Sequence, residues 1–155
     1  MREMRRKERA MSPSRAQDLL STSSYGVLSM VNVDGGGYGV PLSYAIDTEG
    51  NIFFHVAKIG HKLDNLTSDN RVTFTIIGDT QVVPEKFSTQ YESVIAFGKI
   101  EILENEEECI HAARLLIEKY SPEFSIQGEA YIEKAIKHIK VLKLTVDHIS
   151  AKANS

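Results

Sequence analysis

The stretch NIFFHVAKIGHKLDNL, Asn51–Leu66, joins the pattern of a buried strand to a cationic helix start. Ile52–Val56 is a short apolar run interrupted by one histidine, and its β-branched and aromatic residues are typical of a buried strand. Gly60 then permits a sharp turn, and His61 and Lys62 begin a short helix. Because a helix N-terminus has free backbone N–H groups and a positive partial charge, this turn predicts an anion site. A solvated lysine and a surface histidine beside an ordinary turn explain the same residues equally well.

The sequence ahead of this stretch predicts one helix and two strands: Ser12 to about Ser21, Tyr25–Val33 and Tyr38–Asp47. Ser12 suits the N-cap of the helix and Pro13 its first position. The run Asp34–Gly37 (DGGG) indicates a hairpin turn between the strands. Pro41 cannot donate a ladder hydrogen bond, so its strand should lie at an edge, contain a bulge or leave one face open.

The sequence that follows predicts three more strands and two helices: strands Arg71–Ile77, Tyr91–Leu103 and Lys140–Ile149, a helix capped by Asn105, and a weaker helix Glu129–His138. Gly78–Thr89, which contains Pro84, is expected to be a long irregular connection. Gly98, inside the second of these strands, indicates a bulge or bend. Short connections between the early strands favour an antiparallel sheet, most simply a small barrel.

The composition of the chain limits the classes of protein to which it could belong. With 155 residues, the chain is expected to form a single domain, 1–155. The net charge of -3 argues against nucleic-acid binding, and the absence of a long apolar run argues against a membrane span. The basic start MREMRRKERAM has no apolar stretch behind it, and Cys109 is the only cysteine. We therefore expect a cytoplasmic protein with no membrane partner, in which Cys109 packs rather than reacts.

Most known catalytic motifs are missing. The chain has no GxGxxG or GxxxxGK[ST] nucleotide loop, no GxSxG elbow and no HExxH pair. Its five histidines are spread over different elements without metal-ligand spacing, so no metal site is predicted. His55 interrupts an apolar strand and shares a face with Ala57 rather than with Phe54 and Val56. Taken alone, His55 is best explained as a partly buried histidine with satisfied hydrogen bonds.

Several segments together resemble the pyridoxamine-phosphate-oxidase-like split-barrel flavoproteins, and most of all their nitroimidazole-resistance branch. The segments are MRRK (4–7), VPLSYAID (40–47), IFFHVAKIGHKLDNL (52–66), VVPEKF (82–87), YESVIAFGKIEIL (91–103) and SAKA (150–153). The resemblance implies a mainly β fold with flanking helices, namely a six-stranded antiparallel split β-barrel. It also implies a homodimer that binds FMN in a cleft between the subunits.

The resemblance assigns the candidate site residues. His61 and Lys62 match the basic pair on the FMN phosphate, and Lys58 is near enough in sequence to add positive charge. The remaining cofactor-binding candidates would line the cleft or the flavin ring: Val40, Pro41, Leu42, Ser43, His55, Ala57 and, more weakly, Ser93. More distant oxidases have an Arg-Lys pair where this chain has His61-Lys62, which argues against vitamin B6 oxidation.

Two functions remain open from the sequence. The first is an FMN-dependent oxidoreductase that passes electrons, with NAD(P)H as a candidate donor, to a small-molecule acceptor such as a nitroimidazole. His61 would then also be catalytic, as a proton donor. The second is a flavin- or haem-binding carrier or sensor without turnover on the same fold.

Overall fold

The computed structural model describes every residue from Met1 to Ser155. The seven strands are β1 (Gly26–Val31), β2 (Gly37–Leu42), β3 (Ala45–Ile46), β4 (Ile52–Ala57), β5 (Arg71–Val83), β6 (Ser88–Leu103) and β7 (Ile139–Asn154). The four α-helices are α1 (Pro13–Thr22), α2 (His61–Ser68), α3 (Glu106–Tyr120) and α4 (Ser125–Ala135). Short 3-10 turns occupy Lys7–Arg9, Pro84–Lys86 and Pro122–Phe124.

The strands form one antiparallel sheet that closes into a barrel. Their order is β2-β1-β5-β6-β7-β4-β3, so β2 and β3 lie at opposite edges. Six strand spacings would separate these edges by about 29 Å in a flat sheet. Only Ser43 and Tyr44 connect β2 to β3, and three Cα–Cα steps span at most about 11 Å. The sheet must therefore curl until its edges meet, which confirms the predicted mainly β antiparallel barrel with flanking helices.

The sheet has seven strands where the sequence predicted six. The predicted strand Tyr38–Asp47 is two strands, because β2 pairs with β1 whereas β3 pairs with β4. The chain crosses between the two sheet edges at Ser43 and Tyr44, and the ring of Tyr44 is fully buried there. The edge position expected from Pro41 is confirmed, since Pro41 lies opposite Val27 in the edge strand β2.

The prediction of an irregular connection over Gly78–Thr89 was wrong. After a register shift, β5 and β6 continue as a long hairpin in which Thr80 faces Tyr91 and Val83 faces Ser88. Pro84 lies beyond the last of these pairs, in the 3-10 turn at the tip, so its missing N–H costs no ladder hydrogen bond.

The C-terminal elements differ from the prediction mainly at their ends. Asn105 caps α3 as predicted, with its side chain accepting the Glu108 N–H at 3.0 Å. The second helix, α4, begins at Ser125 rather than Glu129 and ends at Ala135. Strand β7 runs to Asn154 because β6 continues to pair with it beyond Ile149. None of the helices is both long and apolar enough to cross a membrane.

The barrel interior is packed with apolar side chains around three aromatic rings. Phe74 lies edge-on to both Tyr44 and Phe54, with ring centroids 4.9 Å apart in each pair, and all three residues are fully buried. A smaller apolar cluster lies outside the barrel, where Phe53 of β4 packs beneath α3. The two faces of β4 therefore serve different purposes, one filling the barrel and the other facing the C-terminal helices.

Candidate functional site

The start of α2 has exposed hydrogen-bond donors. Gly60 occupies the N-cap position with φ 158°, and no side chain caps the helix. The first N–H bonded within the helix is that of Asp64, which donates to the Gly60 carbonyl at 3.3 Å. The N–H groups of His61, Lys62 and Leu63 therefore have no partner within the helix backbone. Gly60 and His61 are exposed, whereas Lys62 and Leu63 are half-buried, so this end of α2 lies at the protein surface.

Two lysines without carboxylate partners flank these donors. The six ion pairs of the protein all involve other residues, which leaves Lys58 and Lys62 unpaired. The one acidic residue in the first turn of α2 is Asp64. An uncapped helix start with two unpaired ammonium groups is the donor set that a phosphate group requires. The residues present therefore fit the phosphate of a nucleotide-like cofactor such as FMN.

A hydrogen-bond chain fixes the orientation of His61. The Val33 N–H can only donate, so the Asn65 side-chain atom that it contacts at 3.1 Å must be the oxygen. The amide nitrogen of Asn65 then donates to Asn32 Oδ1 at 2.9 Å. That oxygen lies 2.7 Å from His61 Nε2, which must therefore donate as well. The proton on Nε2 is thus assigned, and Nδ1 is the ring nitrogen left to take up a proton or bind a ligand.

Packing reinforces this arrangement. The ring of Tyr38, on β2, lies with its centroid 4.6 Å from that of His61. Asn65 is only 1% exposed and is the one buried polar residue of the protein. The β1–β2 turn is therefore joined to the helix that presents Lys62. Sequence reasoning missed Asn32, Tyr38 and Asn65, because each acts through a partner more than 20 residues away and no local motif identifies it.

The candidate ring-binding segment lies on the edge strand. Val40 and Leu42 are half-buried and pack against the barrel core, whereas Pro41 and Ser43 are exposed. An edge strand leaves alternate backbone N–H and C=O groups unpaired. Such a strand fits the heteroatoms along one side of a flavin ring.

The structure brings some of the remaining candidates together and separates others. His55 and Ala57 are exposed on β4 while Phe54 and Val56 are buried, which confirms the predicted faces of this strand. His55 and Ser43 line one cavity of about 230 Å³ between β4, α3 and α4. Ser93 lies on β6, opposite Ile77 and Lys152, on a strand that holds none of the other candidates. The assignment of all these residues to a cofactor stays a prediction.

The last turn of α3 holds the link between β2 and β3. Lys119 Nζ donates to the Tyr44 carbonyl at 3.0 Å and lies 3.5 Å from the centroid of the Tyr44 ring. The Tyr120 hydroxyl accepts the Tyr44 N–H at 3.0 Å. Burial lowers the pKa of Lys119 from 10.5 to about 8. These contacts fix the backbone next to Ser43, and therefore the end of the candidate ring-binding segment.

The lowered pKa of Lys119 predicts a pH-dependent stability. Below about pH 8 the amine is charged in both the folded and the unfolded chain. Between about pH 8 and 10.5 the unfolded chain holds more protons, so the free energy of unfolding should rise with pH. Urea unfolding at several pH values should show this rise in the wild type relative to Lys119→Met, which lacks the amine. A difference between the two proteins that stays constant over this pH range would contradict the prediction.

The other reactive groups do not form a site. No three His, Cys, Asp or Glu side chains are grouped so that they could hold a metal ion. Burial raises the pKa of the Cys109 thiol, whose sulfur lies 3.7 Å from the Leu103 carbonyl oxygen. Cys109 therefore packs between α3 and the end of β6, and it has the properties of a structural cysteine.

Comparison with known proteins gives one family and several related structures. The model of the family described as pyridoxamine 5'-phosphate oxidase matches residues 12–153. A search of the curated proteins gave no match. A Bacteroides thetaiotaomicron protein provisionally assigned to 5-nitroimidazole antibiotic resistance is 24% identical, with a TM-score of 0.77 over 93% of this chain and 88% of that one.

Two further structures have names that mention cofactors. A FAD-binding protein from Mesorhizobium loti is 18% identical, with a TM-score of 0.68 over 95% of this chain and 98% of that one. A FAD and heme binding protein from Mycobacterium smegmatis is 19% identical, with a TM-score of 0.81 over 96% of this chain and 74% of that one. At these identities the three structures establish a shared fold.

Proposed function

Since the chain belongs to the pyridoxamine 5'-phosphate oxidase family, we propose that it binds FMN and uses it to reduce a small aromatic acceptor. The observation behind this proposal is the uncapped start of α2, where Gly60 and His61 are exposed, with the unpaired Lys58 and Lys62 beside it. The related structures described as FAD-binding, and as FAD and heme binding, add support for a flavin.

Different residues would bind different parts of the cofactor. Lys62 and the free N–H groups at the start of α2 would hold the phosphate, with Lys58 adding charge. The edge strand from Val40 to Ser43 would lie along the ring, and His55 and Ala57 would line the cleft between ring and phosphate. This division places the charged part of the cofactor at a charged site and its planar part against a half-buried strand.

His61 would act as a proton donor. A bound flavin supplies hydride and single-electron transfer, while the protein orients the ring and controls proton supply. Because Nε2 of His61 is committed to Asn32, only Nδ1 can carry the proton that is passed on. Asn32, Asn65 and Tyr38 would keep the imidazole in this orientation.

The test of the proposed function is the visible spectrum of the purified protein and the mass of the released ligand. FMN gives a yellow protein and haem a red-brown one. Turnover is then measured as oxidation of NAD(P)H in the presence of a nitroaromatic compound, including a 5-nitroimidazole because of the Bacteroides relative. Bound FMN with no turnover of any acceptor would favour the carrier or sensor function, and a haem spectrum with no flavin among the released ligands would refute the flavin proposal.

We further propose that the working form is a homodimer. The hairpin formed by β5 and β6 exposes Val82 and Phe87, of which Phe87 is 98% exposed. Ile59, next to the candidate phosphate site, is 89% exposed. Val82 and Phe87 both lie near the tip of this hairpin, and exposed apolar side chains that are grouped in this way are typical of a surface that a second subunit covers. Ser93, which is separated from the other candidates within one chain, would then reach the cofactor of the partner.

The assembly prediction concerns mass in solution. Light scattering at micromolar concentration should give twice the 17.3 kDa of one chain. Phe87→Ser should shift the equilibrium toward monomer, whereas Phe124→Ser, which changes an exposed phenylalanine before α4, should not. A wild-type monomer with FMN still bound would rule out a cleft shared between subunits.

A further inference from the structure

One cavity of the protein has the size and lining of a small-molecule pocket. It lies between β4 and the two C-terminal helices, measures about 230 Å³, and has seven apolar residues among the ten that line it. Its wall on the α3 side includes Ala113 and Ile117, and Tyr131 of α4 lies at its rim, 60% exposed. The cavity is partly open to solvent, so a ligand can enter without unfolding the helices.

The volume limits what the cavity can hold. Pockets for drug-sized ligands measure about 300–1,000 Å³, and FMN belongs to that larger class. An apolar cavity of about 150 Å³ is known to hold benzene. A space of about 230 Å³ therefore suits one substituted aromatic ring and excludes the flavin itself.

The lining specifies the chemistry of that ring. Tyr120, Tyr131 and His55 present aromatic side chains, which favour offset or edge-on contact with another ring. The hydroxyl of Tyr120 is occupied by backbone groups of Ser24 and Tyr44, so His55, Tyr131 and the serines Ser43 and Ser121 are left to bond a polar substituent. No acidic or basic side chain other than that of His55 lines the cavity. A charged group on the ligand would therefore lose its hydration without gaining an oppositely charged partner.

We propose that this cavity, bounded by β4, α3 and α4, is the binding site of an uncharged, single-ring aromatic substrate. Ser43 and His55 belong both to the cavity wall and to the candidate flavin cleft, so a ring bound here would lie beside the cofactor. The assignment of the ligand as substrate rests on the proposed function, whereas its binding does not.

The experiment measures binding of two probes to the full-length protein by saturation-transfer NMR titration, with and without added FMN. The probes are 4-nitrobenzyl alcohol, which is neutral, and 4-nitrobenzoate, which is charged. The alcohol should bind saturably, and the benzoate at least about tenfold more weakly. Tyr131→Leu should weaken binding of the alcohol by about 2- to 10-fold. Phe124→Leu changes an exposed aromatic side chain outside the cavity and should leave the affinity for the alcohol unchanged.

A cavity-filling variant gives a second, independent readout. Ala113→Phe should abolish binding of the alcohol, and its folding is checked by circular dichroism because overpacking destabilises. Should that variant not fold, the comparison of Tyr131→Leu with Phe124→Leu still decides the matter.

The outcomes separate the cavity from the flavin proposal. Three results would overturn the cavity site, even where FMN binds normally. They are equal affinity for the two probes, an equal loss of alcohol affinity in Tyr131→Leu and Phe124→Leu, or no saturable binding of the alcohol. Binding of the alcohol by a protein that has no affinity for FMN would support the cavity and refute the proposed function.

Discussion

Replacing Lys62 with alanine is expected to weaken FMN binding by roughly 10- to 100-fold. A charge-assisted contact to a phosphate contributes about 1.5–3 kcal/mol, and 1.4 kcal/mol corresponds to a factor of ten in affinity. Lys62 forms no ion pair in the protein, so its removal leaves no carboxylate without a partner. The stability of the apo protein should therefore stay close to that of the wild type.

Riboflavin provides the control, because it has the ring of FMN without the phosphate. Its weaker binding should hardly change in Lys62→Ala, and Lys58→Ala should cause a smaller loss of FMN affinity. Both ligands are titrated into both variants and followed by flavin fluorescence. Equal losses for FMN and riboflavin would mean that Lys62 acts through folding or ring contacts, and the phosphate assignment would then be wrong.

The start of α2 could be predicted from sequence because its signals are local. A permissive Gly60, the adjacent basic pair and an apolar helical face all lie within a few residues of one another. The side chains that orient His61 could not be predicted in this way. Asn32 lies within the predicted strand Tyr25–Val33 and Asn65 within the predicted short helix, and only the folded chain places their amides in contact.

The strand order could be predicted only in part for a similar reason. Alternating patterns located the strands, and short turns indicated antiparallel pairing, but neither reveals where a chain leaves one edge of a barrel for the other. At Ser43 and Tyr44 the sequence continues an ordinary strand pattern, and the break arises because β3 finds its partner in β4. The length of the β5–β6 hairpin was not predicted, because Gly78–Thr89 was expected to be an irregular connection containing Pro84, whereas Pro84 lies only in the turn at the tip of the hairpin.

The cavity beneath the C-terminal helices was not predictable from helical periodicity. An apolar stripe shows that a helix packs, but not how closely. In this protein Gly128 of α4 faces Ile117 of α3 so closely that a Cβ atom would lie 2.7 Å from Ile117 Cγ2. A glycine inside a helix costs about 1 kcal/mol relative to alanine, so its presence there is a signal of close helix contact that sequence reasoning could have used.

Gly98 shows the opposite case, in which the sequence predicted an irregularity and the structure gives its reason. The register of β6 on β7 shifts between Phe97 and Gly98, as expected for a bulge. A Cβ atom at Gly98 would lie 2.0 Å from the Thr145 carbonyl oxygen and 2.9 Å from Leu144 Cδ1. Because the first of these atoms belongs to the backbone of β7, a side-chain rotation cannot relieve the overlap.

Gly98→Ala should therefore lower the free energy of unfolding by about 3 kcal/mol, at the upper end of the usual cost of overpacking. The β6–β7 pair is the longest in the sheet, and moving Thr145 away would disturb its ladder on both sides of the bulge. Gly37→Ala is the matched control, since Gly37 also lies in a strand but a Cβ atom there meets nothing within 4 Å. Urea unfolding should show a change within about 0.5 kcal/mol for the control. If the two variants lost equal stability, the approach of the Thr145 carbonyl would not be what requires glycine at position 98.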